Sequence, residues 1–166
     1  MTPVNKNALI SITAQLERRG VTYGYGAKAD DKSANPRSTG QLSTPPDTID
    51  QIDCSGFTRY ILFQAAGWRV PDGSQDQRQW FEDNGFTKLS SYSVVNNGVG
   101  AEALYIAFIK PNTNGCGSVG HVWFVYKPND NTDAETFESH GGIGVDSRRW
   151  NTTVLFAEAF EAFALP

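Results

Sequence analysis

The sequence predicts an α+β fold, with helices first and a mainly antiparallel sheet second. Three observations carry this. Apolar residues recur at helical spacing in the first half of the chain, β-rich runs broken by Pro and Gly fill the second half, and the two textures do not alternate as they would in a parallel βαβ fold. Residues 5–19 place Leu9, Ile10, Ile12, Thr13 and Leu16 at helical intervals and stop at Gly20, a residue suited to the position just past a helix end. Residues 28–51 are rich in Asp, Ser, Pro, Thr and Gly with almost no large apolar side chain, which reads as a long surface loop. In residues 54–66, Phe57, Tyr60, Ile61, Gln64 and Ala65 recur at three and four, with Asp53 able to cap and Gly67 able to terminate. Residues 74–83, followed by Asn84-Gly85, read as a shorter helix.

Beyond Gly85, the predicted strands are 102–110, 119–126, 135–139 and 152–156, with Pro111, Pro128 and Gly141-Gly142 in the gaps. The periodicity of residues 156–165 fits either a helix or a strand. A chain of 166 residues with 39% hydrophobic and 12% aromatic positions can bury a core without disulfides or structural metal, so one domain over 1–166 is expected. Fourteen Lys and Arg against eighteen Asp and Glu, a formal charge of −4, give no electrostatic footprint for nucleic acid or an anionic membrane, and neither partner is expected. The longest apolar runs fall far short of the ~20 residues that span a bilayer. Residues 1–20 lack the pattern of a secretory signal, so the expectation is synthesis in the cytoplasm.

The chemistry concentrates where the polar loop turns into the second helix, at Asp53-Cys54-Ser55-Gly56. A thiol at a helix N-terminus meets the positive end of the macrodipole and unpaired backbone N–H groups, which favour the reactive thiolate and can hold an oxyanion. The alternative is a small buried residue packed under the loop. A nucleophilic thiol needs a base, and the chain offers only His121 and His140. His121 opens one predicted strand and His140 closes the next. If those strands are antiparallel neighbours the two rings can meet, which would supply nucleophile, base and orienter.

These residues carry a resemblance. Gly20-Val-Thr-Tyr-Gly-Tyr-Gly26, Asp53-Cys-Ser-Gly-Phe57 entering a helix that ends Gln-Ala-Ala-Gly67, and Gly120-His-Val-Trp-Phe-Val125 resemble, in order and over most of the chain, the NlpC/P60 family of cell-wall cysteine peptidases. The resemblance implies a papain-like fold, Cys54 as nucleophile, His121 as base and, through Glu-Ser-His, His140 as the group that orients it. Tyr23 matches the tyrosine of the family's Gly-x-Pro-Tyr-x-x-Gly-Gly segment, with Thr22 in place of proline and Ala27 in place of the last glycine. Val70-Pro71-Asp-Gly-Ser74-Gln-Asp-Gln77 resembles the family's Pro-x-x-Ser-x-x-Gln stretch. Two departures bear on the groove walls: Ala103-Leu-Tyr-Ile-Ala replaces the usual Gly-Asp-Leu run, and the loop between Ala27 and Asp53 is longer.

The implied reaction is hydrolysis, through a thioester, of an amide in a peptidoglycan stem peptide, in particular the bond from γ-D-glutamate to a diamino acid. Tyr23, Asp53 and Ser55 are candidate substrate-binding residues, with Asp53 read equally as an amine ligand and as a plain N-cap. No cofactor and no metal are called for. A monomer is expected, acting in the periplasm or cell wall as a bacterial effector or phage lysin, with an immunity or inhibitor protein as a further partner. Two alternatives use the same features: an inactive papain-like binding domain, and acyl transfer to an amine.

Other signals are weaker. Gly115-Cys-Gly-Ser-Val-Gly120 satisfies G-x-G-x-x-G but leads into a strand rather than a helix. Cys54, Cys116, His121 and His140 add up to a zinc-ligand set without the usual short spacings. Arg148-Arg149-Trp150 reads as an exposed basic pair beside a packed Trp rather than a carboxylate clamp.

Overall fold

The computed structural model describes residues 1–27, 42–90, 102–113, 118, 120–128, 134–149 and 160–166. The first helix, α1 (Lys6–Arg19), is capped by the Asn5 side chain, which accepts from the Ala8 N–H, and buries Leu9, Thr13 and Leu16. It ends at Gly20 with φ 73°, a left-handed residue that glycine adopts at no steric cost. The second, α2 (Cys54–Ala66), buries residues on nearly all sides. The third, α3 (Ser74–Asp83), buries Ser74, Gln77 and Phe81 at helical intervals.

Six strands follow: β1 (Lys88–Ser90), β2 (Ala103–Ile109), β3 (His121–Lys127), β4 (Glu135–His140), β5 (Gly144–Arg149) and β6 (Glu161–Leu165). They form one sheet in the order β1-β6-β2-β3-β4-β5, with every neighbouring pair antiparallel. The fold is α+β, as the sequence predicts. Strands β1 and β5 are additional to that prediction, and the undecided C-terminal segment is a strand over Glu161–Leu165. The predicted strand at 152–156 lies outside the described residues.

One sheet face, with Leu104, Ile106, Phe108, Val122, Phe124, Phe137 and Phe163, shares a core with Leu9, Leu16, Phe57, Ile61 and Phe81 of the helices. The opposite face is also buried, through Tyr105, Ala107, Trp123, Val125, Phe160 and Ala162. Burial on both faces explains why β2 and β3 read as continuous apolar runs rather than as an alternating pattern.

Of the polar stretch read as a loop over residues 28–51, residues 28–41 lie outside the described residues, and residues 42–51 are more firmly held than their composition suggests. Leu42 and Ile49 are buried, the Tyr60 hydroxyl donates to Thr44 O at 2.7 Å, and Gln64 Nε2 donates to Leu42 O at 2.6 Å. A 3₁₀ turn at Pro46–Thr48 follows. The segments on either side of the loop are tied together and to the sheet. Thr22 bridges Gln51, Asp53 N–H donates to Ala27 O, the Ser139 hydroxyl donates to Ile52 O, and Val145 N–H donates to Val21 O. These bonds set the entry to α2 against β4 and β5. Gly144 allows the closest approach: at φ 102°, a Cβ there would lie 2.2 Å from Val21 O.

Candidate active site

Cys54 is the first residue of α2 because Asp53 caps the helix. The Gly56 N–H donates to Asp53 Oδ1 at 2.6 Å, and the Ser55 hydroxyl donates to the same oxygen at 3.1 Å. The Gly26 N–H donates to Asp53 Oδ2 at 3.1 Å, joining the Tyr23 segment to the cap. A carboxylate already holding three donors is a cap in the first place, so of the two readings of Asp53 the cap is the one the geometry realises. Ser55 is 4% exposed and belongs to the same knot. Behind it, Gln77 braces α2 against α3. Its Nε2 donates to Ser55 O at 2.8 Å and to Pro71 O at 3.2 Å, and its Oε1 accepts from the Thr58 hydroxyl at 2.7 Å.

His121 opens β3, where Gly120 makes the turn. Gly120 has φ 71°, and a Cβ there would stand 2.4 Å from Ile109 O, so both conformation and space require glycine. The Cys54 sulfur acts at close range on the His121 ring. Its Nε2 lies 2.8 Å from Glu138 Oε2, which leaves Nδ1 for the sulfur. The ring also stacks on Trp123, with centroids 5.6 Å apart and planes at 18°, an arrangement that favours a cationic ring.

Glu138, not His140, holds His121. The sequence correctly brings β3 and β4 together, and their register, continued to the strand ends, sets His140 across from His121. The imidazole of His121 instead reaches diagonally to the carboxylate two residues back from His140. His140 turns to β5: its Nε2 accepts from Arg148 Nη2, and its Nδ1–H donates to Gly141 O at 3.3 Å. Arg148 Nε in turn donates to Asp146 Oδ2. Arg148 is therefore half-buried and bonded across the hairpin, which corrects the reading of it as one of an exposed basic pair. In the sequence Glu138 is a single acid within Thr-Phe-Glu-Ser-His, beside the rarer histidine, and no local pattern there singles it out.

The electrostatics follow from this placement. Burial opposes charge on His121, but the Cys54 thiol and the Glu138 carboxylate outweigh it and push the ring up to about 9. Burial likewise opposes charge on Glu138, and His121, helped by Arg148 and by His140 when its ring is protonated, holds the carboxyl below its usual range. His140 is pushed down by burial and by the neighbouring Arg148 and His121 charges, against the pull of Glu138. A neutral ring that accepts from a guanidinium agrees with that direction, because Arg has no acceptor.

Cys54 lies on a cleft of about 390 Å³, lined also by Tyr23, Tyr25, Asp72, Asp76 and Ser118. Burial, then the charges of Cys54 and Asp53, pushes the Tyr23 hydroxyl up, so it stays protonated and able to donate. The structure thus brings Cys54, His121, Tyr23, Asp53 and Ser55 together, adds Glu138, and sets His140 behind it. Among the described residues no group of three or more His, Cys, Asp or Glu is arranged to hold a metal ion, and Cys116 lies outside those residues.

No protein-family model matches the chain, and no curated protein matches it. Among solved structures it is similar to the NlpC/p60 domain of the peptidoglycan hydrolase SagA, at 20% identity over 95% of this chain and 97% of that chain, with a TM-score of 0.49.

Proposed function

We propose that this chain is an NlpC/P60-type cysteine peptidase that hydrolyses an amide bond in a peptidoglycan stem peptide, with Cys54 as nucleophile, His121 as general acid and base, and Glu138 as the group that orients His121. The observation that carries the chemistry is the Cys54–His121–Glu138 series, which starts at a helix N-terminus on a cleft and ends in a buried carboxylate. The ordered sequence motifs carry the substrate class.

In the first half-reaction the Cys54 sulfur attacks the amide carbonyl, and a C–S bond forms as the carbonyl π pair moves to oxygen. The Cys54 N–H and the Tyr23 hydroxyl are the donors for that oxyanion. Collapse of the intermediate breaks the C–N bond, and the proton on His121 goes to the departing amine. Water then attacks the thioester, His121 takes its proton, and the sulfur leaves as the acid product forms. Throughout, Glu138 accepts from Nε2–H, which fixes the tautomer that presents Nδ1 to sulfur and water. The bond from γ-D-glutamate to a diamino acid is the proposed target, and delivery as an effector or lysin to the periplasm or wall is the proposed setting.

The test is mass spectrometry of soluble fragments released from purified Gram-negative peptidoglycan by the wild-type chain and by Cys54→Ala. Fragments from the wild type alone establish the reaction, and their new termini name the bond. Wild-type samples that match Cys54→Ala on both Gram-negative and Gram-positive walls overturn the substrate assignment.

A further inference from the structure

We propose that Arg148, clamped by His140, is a positioning residue of this site: its standing positive charge keeps Glu138 anionic during the half-reaction in which His121 has given up its proton. The inference rests on the peptidase reading above.

The geometry begins with the β4–β5 hairpin. Its register pairs Thr136 with Arg148, Glu138 with Asp146, and His140 with Gly144. Side chains alternate along a strand, so Thr136, Glu138 and His140 share one face with Asp146 and Arg148. Arg148 starts on the Thr136 rung, donates from Nε to Asp146 on the next rung, and donates from Nη2 to His140 on the third. The guanidinium therefore passes the rung that holds Glu138. Among the described residues, the charged or titratable groups facing Glu138 are His121 from β3, His140 from β4, and Asp146 and Arg148 from β5, with the Cys54 thiol of α2 beyond the His121 ring.

The chemistry gives this arrangement a task. Glu138 is 1% exposed, and Asp146 stands directly across from it. While His121 is an imidazolium, that charge holds the Glu138 carboxylate ionised. Once His121 has protonated the leaving amine it is neutral, and a buried carboxylate facing another carboxylate would take a proton from solvent. A protonated Glu138 could donate to Nε2, and the ring would then carry its proton on Nδ1. No lone pair would remain there to accept the proton of the hydrolytic water. A permanent cation on the far side of Glu138 prevents this, and Arg is the side chain that stays charged at every working pH. His140 contributes as a neutral acceptor that aims the guanidinium, which gives the second histidine a place in the site different from the one its sequence position suggests.

The test uses the full chain and needs no substrate. The rate of Cys54 alkylation by iodoacetamide is followed by intact mass from about pH 4 to 11 for the wild type, Arg148→Gln, Arg148→Lys and Asp146→Asn. A unit charge one diagonal rung away, about 7 Å at an effective dielectric of about 20, shifts an ionisation by roughly one to two pH units. Arg148→Gln should move the upper step in rate, where the His121–Glu138 pair gives up its proton, up by about that much, and Arg148→Lys should restore it. Asp146→Asn removes the carboxylate across the ladder and should move that step down, so the proposal stays testable if Arg148→Gln does not fold. A merely structural role would lower stability and leave the profile in place. Superimposed profiles for the wild type and the charge variants overturn the proposal. A wild type with no acid-side rise below pH 8 overturns the Cys54–His121 pair itself, and this inference with it.

Discussion

Glu138→Gln separates the charge of Glu138 from its shape and its hydrogen bond. The amide oxygen can still accept from Nε2–H of His121, 2.8 Å away in the native side chain, but the negative charge is gone. His121 rises from 6.5 to about 9, which corresponds to a net preference for the imidazolium of about 3 kcal/mol. The thiol and the carboxylate share that preference. Roughly half of it, about 1–2 kcal/mol, is the least the carboxylate contributes, since both partners also offset the burial penalty; the ceiling is the ~3–5 kcal/mol cost of breaking a buried pair.

The alkylation rate of Cys54 should show an upper step as His121 loses its proton, near pH 9 in the wild type and at pH 8 or below in Glu138→Gln. Stability carries the same sign. The raised His121 contributes stability that is complete below pH 6.5 and disappears as pH rises through about 9. The lowered Glu138 contributes above pH 4.5 and loses its contribution as pH falls through its depressed value. Unfolding free energies of wild type and variant from urea denaturation should therefore differ most between about pH 4.5 and 6.5, by roughly 1–3 kcal/mol, and converge as pH rises through about 9. An upper step that stays near pH 9 in Glu138→Gln would refute the coupling.

Two substitutions test the scaffold. Gly120→Ala combines a positive φ with a Cβ 2.4 Å from the Ile109 carbonyl, so a loss of about 2 kcal/mol or more is expected, read as a fall in Tm of at least about 5 °C; an unchanged Tm would contradict the close approach. Gln77→Leu removes three hydrogen bonds in a fully buried place and should cost about 2–4 kcal/mol in urea denaturation, whereas a loss below 1 kcal/mol would show that Gln77 does not brace α2 against α3.

What was legible in the sequence was whatever a short local pattern determines. The ends of α1 and α2 are written in Asn5 and Gly20, and in Asp53 and Gly67, because each cap is satisfied within a few residues of itself. Cys54 and His121 were legible because their neighbours define where each sits on its element. The partner of His121 was not. Glu138 and His140 are both of the parity that puts them on the His121 face, and choosing between them depends on how far the ring reaches along the ladder, which no pattern within either strand states. β5 was missed for a related reason: Gly-Val-Asp-Ser-Arg-Arg carries charge on the face it shares with Glu138, and the alternation becomes readable only once Asp146 and Arg148 are seen to face Glu138 and His140. The tethers of residues 42–51 are carbonyls that accept from Tyr60 and Gln64, and backbone acceptors leave no mark on composition.

Charge alternates outward from the sulfur: imidazolium at His121, carboxylate at Glu138, guanidinium at Arg148, carboxylate at Asp146. The outer pair is the more exposed, with side-chain values of 20% at Arg148 and 18% at Asp146 against 2% at Glu138. Water screens the outer members more, so each step outward should matter less to the proton on His121. Replacing Glu138 should thus have a larger effect than replacing Arg148, and replacing Arg148 a larger one than replacing His140, whose ring is neutral and acts only by aiming the guanidinium. Of this whole series, only Cys54 lines the cleft. Glu138, Arg148 and Asp146 are thereby separated from the cleft walls at Tyr25, Asp72, Asp76 and Ser118, so the walls are free to change with the substrate while these groups hold the pH response of the cysteine.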